Sequence, residues 1–376
     1  EARGKARSLT VGAAFQRPFG ETVLLRGGVD LTSQRRSAVR ERHLSSGVFL
    51  EDRIWPDIRS DQPGLFLEAR SLRNRTAWRF GGRLERARTS AAGEPSQTEW
   101  TGTTNAVAGM TLGKGWTLQG GIGFLRAAPG LGERYRTLVD ALGGRKESGN
   151  PELEPETRTS ASLGLHYNRP GFRFTADGWI DRIDDFIQRQ VIDADPLRYS
   201  FRNRDARLYG WDLQARWIPF SGKKESLSLE KERLSLAASL STVRGENRAT
   251  GKGLPDLPPW EARISLFLRE SLAGVEVRFR LEGVAVGEGR NPQPELVPIY
   301  VRTPSYFLAN LHFEFIHGRR WILYFGADNL FDKLAYRYLQ PSVVSGPIGP
   351  SGGSLVGGDR VPLPGRSFRF GLKWSF

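Results

Sequence analysis

Hydrophobic and polar residues alternate with a period of two along most of the chain, which is the pattern of a β-strand with two unlike faces. The last strand shows it most clearly, because Phe368, Phe370, Leu372 and Trp374 alternate with polar or small residues. In the stretch 275–287, four charged residues alternate with apolar ones in the same way. Such a charged face cannot line a dry core, but it can line a wet lumen while the other face contacts lipid.

The same alternation recurs from end to end and predicts about fifteen strands. They are predicted near 8–18, 21–33, 64–75, 77–89, 99–113, 115–126, 158–169, 172–187, 207–219, 233–245, 259–269, 275–287, 304–317, 320–331 and 366–376.

The predicted connections alternate in length. Short turns, such as Pro18–Gly20 and Pro170–Gly171, alternate with long stretches that are polar and rich in Gly and Pro. The long stretches are 34–63, 127–157, 188–206, 246–258, 288–303 and 332–365. Tight periplasmic turns and long outer loops are typical of outer-membrane barrels. One connection, 221–232, is charged and longer than this pattern predicts.

These features predict an all-β fold, an antiparallel transmembrane β-barrel. Bacterial single-chain barrels have even strand numbers, whereas the predicted number here is odd. If the last strand ends at the periplasm, the first strand begins at the outer surface. We therefore expect further strands before residue 1 in the native protein.

Composition excludes several other classes of protein. Apolar residues make up only 39% of the chain, and no stretch is long enough for a membrane helix. Cysteine is absent, so neither disulfides nor thiolate metal sites can form. The net charge of +14 is spread over many short segments rather than gathered in one arm. A basic lumen or rim that contacts anionic lipid or ligand fits this distribution better than nucleic-acid binding.

The sequence shows few features of an enzyme. The four histidines, His43, His166, His312 and His317, are scattered, and the last two are five residues apart on one predicted strand. They therefore face opposite sides of that strand. Neither a nucleophile turn nor a phosphate-binding loop occurs. We expect no catalytic residue, metal site or cofactor.

The outer loops carry arginine and aromatic residues that could bind a ligand. Arginine holds carboxylates or phosphates through two parallel hydrogen bonds, and an aromatic ring can stack on a planar ligand. An anionic metal chelate would suit such a surface. Alternatively, the same residues anchor the barrel at lipopolysaccharide phosphates and the membrane interface. The candidates are Trp55, Arg59, Arg198, Tyr199, Arg202, Arg204, Tyr336 and Tyr338.

Seven short motifs resemble, in sequence order, those of TonB-dependent receptors. They cover nearly the whole chain, and one departs from the family in having Asp212 where a glutamate is usual. The motifs are FLRAAPGLGERYR at 124–136, NPELEPE at 150–156, IDDFI at 183–187, YGWD at 209–212, PDLPP at 255–259, NLFD at 329–332, and PGR at 364–366 with the terminal Phe376.

The resemblance implies a 22-stranded barrel closed by a plug domain, with a TonB-contacting box before the plug. Residues 1–376 would then be a single barrel domain with about 15 of the 22 strands, lacking the plug and about seven strands. The implied function is active uptake of a scarce ligand across the outer membrane, powered through TonB. A ferric siderophore is the expected cargo, with cobalamin, haem or a glycan as alternatives. The rival functions are a plug-less passive channel that favours anions and a surface barrel for binding or adhesion.

Two further groups of residues have expected roles. The terminal strand resembles the signal that the barrel-assembly machinery reads, although aromatics also belong to the girdle at the membrane interface. The residues that flank the last outer loop are expected to end strands at the rim. The first group is Phe368, Phe370, Leu372, Trp374 and Phe376; the second is Asn329, Asp332, Pro364, Gly365 and Arg366. The expected partners are outer-membrane lipid, lipopolysaccharide, TonB, the assembly machinery and a small-molecule chelate.

Overall fold

A computed structural model describes residues 2–43, 49–139, 146–194, 197–219, 233–294, 302–318, 320–338 and 362–374. This part of the chain is almost entirely β-strand, with one short helix, α1 (Leu131–Tyr135). It contains no helix that is long and apolar enough to span a membrane.

The strands follow one another along the chain with few interruptions. They are β1 (Ala2–Phe19), β2 (Val23–His43), β3 (Phe49–Arg73), β4 (Thr76–Ala91), β5 (Gln97–Gly113), β6 (Trp116–Ala127), β7 (Thr137–Val139), β8 (Lys146–Ser148), β9 (Glu156–Arg169), β10 (Phe172–Ala194), β11 (Leu197–Trp217), β12 (Leu234–Asn247), β13 (Glu261–Leu272), β14 (Val275–Val286), β15 (Tyr306–His317), β16 (Trp321–Asp328) and β17 (Ser367–Trp374).

The long strands form one antiparallel meander in which each strand pairs with the next. The short strands β7 and β8 form a hairpin outside this order, so β6 pairs directly with β9. β8 also makes a short parallel pairing with β11 at Arg198 and Tyr199. Without the hairpin, fifteen long strands remain, each at a predicted position, so the predicted all-β antiparallel fold is confirmed. No pairing joins β1 to β17 among the residues that the structure describes.

The prediction of long outer loops at 34–63 and 188–206 is wrong. β2 and β3 continue into the first stretch, and β10 and β11 fill most of the second. The hydrophobic–polar alternation fails there because extra residues shift the register of strand pairing. One shift lies on β3, opposite the step from Arg36 to Ala38 of β2. Another lies on β10, between Ile183 and Phe186. Backbone pairing needs no apolar face, so strands continue beyond the lipid where their side chains are polar. The charged connection 221–232 lies outside the described residues.

The tight turns at the opposite ends of the strands contain the predicted turn residues. β9 and β10 are joined by Pro170 and Gly171, and Gly171 has a φ of +83°. Proline suits the second position of a type II turn, and glycine accepts the positive φ at the third. This turn holds Arg169 directly opposite Phe172 in the ladder.

The two faces of the sheet differ in chemistry. The outward face carries exposed apolar side chains, including Phe368 and Phe370, which are 65% and 72% exposed. The inward face carries ion pairs. Both terminal nitrogens of Arg83 on β4 bind the Asp30 carboxylate, at 2.8 and 2.7 Å, and Glu85 contacts the same guanidinium. An apolar outer face and a polar inner face are what a lipid-embedded barrel wall requires.

Candidate functional site

The segment between β6 and β9 folds back against the inner wall at the outer end of the barrel. Within it, α1 begins where the Glu133 carboxylate accepts a hydrogen bond of 2.7 Å from the backbone N–H of Gly130. Arg134 on α1 is only 2% exposed. Its Nη1 donates to Glu99 of β5 at 3.0 Å, and its Nη2 donates to the carbonyl of Leu153 at 2.6 Å. The buried cation is thus paired with a carboxylate, and it attaches the segment to the wall.

An apolar cluster holds the same helix from the other side. Ile58 of β3, Ala91 of β4 and Tyr135 of α1 form its buried centre, and Trp55 and Leu131 pack against them. Burial raises the pKa of the Tyr135 phenol. Trp55 was predicted as a ligand residue in an outer loop, but it lies on β3, half-buried, with the Arg36 guanidinium 5.7 Å from its ring. Its contacts are therefore with Arg36 of β2 and with the cluster around Tyr135.

The NPELEPE motif at 150–156 docks on β11. The Asn150 amide donates to the carbonyl of Phe201 at 2.9 Å. In return, the Asn203 amide donates to the carbonyl of Glu154 at 3.0 Å and accepts from its N–H at 2.9 Å. Leu153 is 2% exposed between these contacts. The motif thus fixes the position of the segment before β9 begins.

A chain of charges joins the β7–β8 hairpin to β10 and β11. The Glu147 carboxylate of β8 contacts Arg136 and lies 3.3 Å from Nε of Arg189 on β10. The Arg189 guanidinium in turn lies 4.3 Å from the centre of the Tyr199 ring. Tyr199 is only 1% exposed, so this predicted ligand residue is covered by the protein itself.

Three predicted ligand residues, Arg198, Arg202 and Arg204, lie together on one face of β11. Both register shifts against β10 place the extra residue on β10, so the alternation along β11 is unbroken. Tyr209 and Trp211 of this strand are exposed on the outward face. The even-numbered arginines thus share one face at the outer end of β11, and Asn203, which contacts the folded-back segment, lies on the opposite face.

These three arginines differ in the hydrogen bonds that their side chains make. Arg198 donates to Asp193 at 2.7 Å, and Arg204 donates to the Gln190 side chain at 3.3 Å. Arg202 is exposed and has no hydrogen bond or ion pair within the described part of the chain. The guanidinium of Arg202 is therefore available to an anionic ligand at the outer end of β11.

The other predicted ligand residues lie apart from this face. Arg59 is on β3, not in a loop, and is exposed between buried Ile58 and Ser60, which places it on the outward side. Tyr338 is 5% exposed, and its hydroxyl donates to the carbonyl of Arg290 at 2.6 Å. Tyr336 lies near it in sequence and is half-buried. The candidates thus divide into an exposed arginine set on β11, residues covered by protein and one outward residue on β3.

The rim residues form a hydrogen-bonded junction. The Asn329 amide donates to the carbonyls of Lys333 and Pro364 at 3.0 and 3.1 Å, and its oxygen accepts from the N–H of Lys333 at 2.9 Å. Asp332 accepts from the N–H of Arg366, which follows Gly365, at 2.8 Å. On the adjoining strand β17, Phe368, Phe370, Leu372 and Trp374 are all exposed on the outward face, whereas Phe376 lies outside the described residues.

Sequence reasoning missed the acidic members of the outer cluster, Glu99 and Glu147. Both carboxylates bind arginines from elements distant in sequence. Glu99 occupies an inward position in the alternation of β5, and this is the one sequence signal that could have indicated it. No group of three or more His, Cys, Asp or Glu side chains forms a metal site in the part of the chain that the structure describes.

Comparison with known proteins gives one family. The family described as TonB dependent receptor-like, beta-barrel matches residues 4–330, which is well over half of the chain. The ferrienterobactin receptor of Escherichia coli (strain K12) is 25% identical over 255 residues, which cover 63% of this chain and 33% of that protein.

Solved structures show the same fold. The copper transporter OprC matches with a TM-score of 0.81 at 20% identity, covering 100% of this chain and 57% of its own. The ferric yersiniabactin uptake receptor FyuA from Yersinia pestis matches with a TM-score of 0.63 at 15% identity, covering 92% of this chain and 51% of its own. The chain therefore spans between about a third and just over half of the length of these relatives.

Proposed function

Because the chain belongs to the TonB dependent receptor-like β-barrel family, we propose that it is part of an active importer for an anionic metal chelate, a ferric siderophore. The family match confirms the resemblance seen in the sequence motifs and makes this an outer-membrane protein of a transport-receptor family. The observation that carries the proposed cargo is the exposed arginine set on β11, Arg198, Arg202 and Arg204, in which Arg202 is unpaired within the described residues.

The arginine set favours an anion over a bare cation. Arg198, Arg202 and Arg204 lie on one face of one strand at the outer end, where their positive potentials add. A siderophore presents several oxygen donors, and guanidinium groups bind carboxylates and similar oxyanions through paired hydrogen bonds. The names of two relatives, a ferrienterobactin receptor and a ferric yersiniabactin uptake receptor, fit such a cargo.

The folded-back segment with α1 supports the same proposal. It is held by Arg134 and by the cluster around Tyr135, so the mouth has a preformed inner wall. A binding wall that is ordered before the ligand arrives loses less conformational entropy on binding. In this proposal the rigid segment and the exposed arginines together capture the chelate.

We also propose how the import is powered. The sheet has free edges at β1 and β17 within the described residues, and the relatives are considerably longer than this chain. We propose that a plug domain, a TonB box and about seven further strands complete the barrel, as in the 22-stranded transporters. TonB would then act through the plug and not through the strands described above.

Uptake of radioactive ferric complexes into cells that carry the complete receptor tests the proposal. The panel contains a catecholate, a hydroxamate and a carboxylate siderophore, with copper salts for comparison. Saturable uptake of one ferric complex that disappears in cells without TonB supports active import. Uptake that persists without TonB would establish a passive channel instead, and uptake of copper alone would overturn the cargo.

Matched variants connect uptake to the arginine set. Arg202→Ala should weaken binding of the ferric complex by roughly tenfold, the equivalent of one good charge-assisted interaction. Arg202→Lys should recover part of this loss, because it keeps the charge but not the planar fork. Arg17→Ala is the control, since Arg17 is exposed at the tight-turn end of β1. If all three variants bound the ferric complex equally well, the arginine set would have no role in binding it.

A further inference from the structure

Three arginines from neighbouring strands lie side by side in exact register. Arg7 of β1 is directly opposite Arg35 of β2, and Arg35 is directly opposite Arg59 of β3. All three side chains are exposed. Directly opposed residues have Cβ atoms roughly 5 Å apart, and like charges in such pairs destabilise a sheet. We refer to Arg7, Arg35 and Arg59 as the outer arginine row.

The row lies on the outward face of the sheet. On β3, exposed Arg59 alternates with Ile58 and Ser60, which are 0% and 1% exposed. Further along the same face, Leu31 of β2 and Leu65 of β3 are 44% and 53% exposed. These leucines belong to the apolar band that contacts lipid, so the arginines and the band share one face of the wall.

The position of the row relative to the lipid follows from the spacing of residues along a strand. Leu9 of β1 is 62% exposed and lies two residues from Arg7, or roughly 7 Å along the strand. β1 and β2 are joined at their other ends by the tight turn after Phe19. Since tight turns lie at the periplasmic side, the row lies just beyond the apolar band on the outer side.

The charge of the row is only partly balanced. Asp61, two residues closer to the lipid on β3, lies 2.7 Å from Nε of Arg59 and accepts a hydrogen bond from Ser33. Asp61 is itself directly opposite Arg88 of β4, which adds a fourth cation. No hydrogen bond to Arg7 or Arg35 occurs within the described residues. A row of guanidinium groups with this surplus needs an anion to relieve their mutual repulsion.

We propose that the outer arginine row binds the phosphate groups of a phosphorylated glycolipid in the outer leaflet, namely lipopolysaccharide. Adjacent guanidinium groups can hold one phosphate between them through charge-assisted hydrogen bonds. The exposed leucines beside them receive the acyl chains of the same molecule, which a soluble phosphate compound could not use. This inference depends on the outer-membrane location of the chain and not on the proposed cargo.

The test uses the complete receptor in nanodiscs and measures binding of purified lipid A by native mass spectrometry. The triple variant Arg7→Gln, Arg35→Gln, Arg59→Gln should bind lipid A at least tenfold more weakly than the unaltered protein. The matched control is Arg17→Gln, Arg73→Gln, Arg75→Gln, which removes three exposed arginines near the tight turns. It should bind lipid A as the unaltered protein does.

Two further probes identify the group that is recognised. Lipid A without its phosphates should lose the same affinity in the unaltered protein, and inorganic phosphate should compete only weakly. Equal binding of dephosphorylated lipid A, or unchanged binding by the triple variant, would overturn the proposal. Strong competition by inorganic phosphate would overturn the choice of a lipid. Heat-modifiable migration checks that each variant folds, and Arg35→Gln alone replaces the triple variant if that variant does not.

Discussion

The guanidinium of Arg189 lies 4.3 Å from the centre of the Tyr199 ring, so a strand of the barrel wall places a cation against an aromatic ring that is almost fully buried. The same guanidinium also faces Glu147 on the β7–β8 hairpin. These contacts attach the hairpin to the wall where β8 pairs with β11. They also explain why Tyr199, an attractive ligand residue in the sequence, is a structural residue in the fold.

Replacing Arg189 should loosen this attachment. Arg189→Ala removes the cation from the Tyr199 ring and leaves Glu147 with Arg136 as its remaining partner, at a cost of about 1–2 kcal/mol. Hydrogen exchange of the amides in 146–148 and 197–201 should become faster, while the lower part of β11 is unaffected. Arg198→Ala is the control, because Arg198 is exposed and its ion pair with Asp193 is partly open to solvent. Identical exchange in the two variants would contradict the role of Arg189.

Arg134 should be the most sensitive residue of the folded-back segment. Arg134→Ala leaves the largely buried Glu99 carboxylate without its partner, and breaking a buried pair costs roughly 3–5 kcal/mol. Protease cleavage between α1 and β9 should therefore become much faster in outer-membrane preparations. The double variant Arg134→Met, Glu99→Leu removes both charges and should recover much of the loss. Equal cleavage in the single and double variants would contradict this account.

The sequence predicts the sheet well because the lipid and the lumen impose opposite chemistry on alternate residues. The strand that contains Phe368 and Phe370 was located for this reason, as were the strands with tight turns such as Pro170–Gly171. The prediction fails where the strands leave the lipid. Around Arg59 and Arg202 polar and charged residues are no longer confined to one face, so the regular alternation is lost although the backbone pairing continues.

The candidate site was predictable only in part, because a side chain's role depends on which face it occupies. Tyr199 and Arg202 lie in the same predicted outer loop, yet Arg202 is exposed whereas Tyr199 is 1% exposed against Arg189. The two residues lie on opposite faces of β11, and the side chains that cover Tyr199 come from elements that only strand pairing brings to β11. The partners of Arg134, in particular, lie on distant elements that no local pattern connects.

The Tyr135 phenol predicts a loss of order at alkaline pH. Its folded-state pKa is raised by burial, so the fold favours the neutral phenol. This contribution to stability is complete below the ordinary tyrosine pKa of about 10 and is lost as the pH rises from there through the raised value. Protease cleavage of the folded-back segment should therefore increase above about pH 10.

Tyr135→Phe is the matched variant for this prediction. The Tyr135 hydroxyl is buried without a hydrogen-bond partner in the described part of the chain, so its removal should be neutral or stabilise by up to about 1 kcal/mol. The variant should keep its resistance to protease above the pH at which the unaltered protein is cleaved. The same alkaline loss in both proteins would show that another group controls it.

Asn329 should determine the stability of the rim between β16 and β17. Its side chain makes three hydrogen bonds to backbone groups of Lys333 and Pro364, and its backbone has a φ of +51°. Asn329→Ala loses these bonds and puts at this left-handed position a residue that tolerates it less well than asparagine, and the two effects together cost about 3 kcal/mol. Asn329→Gly loses the same bonds without the backbone strain, so it should be destabilised by about 1 kcal/mol less. The temperature at which the complete receptor loses its heat-modifiable migration measures both effects. If glycine were no better than alanine, the left-handed backbone would not contribute to the loss.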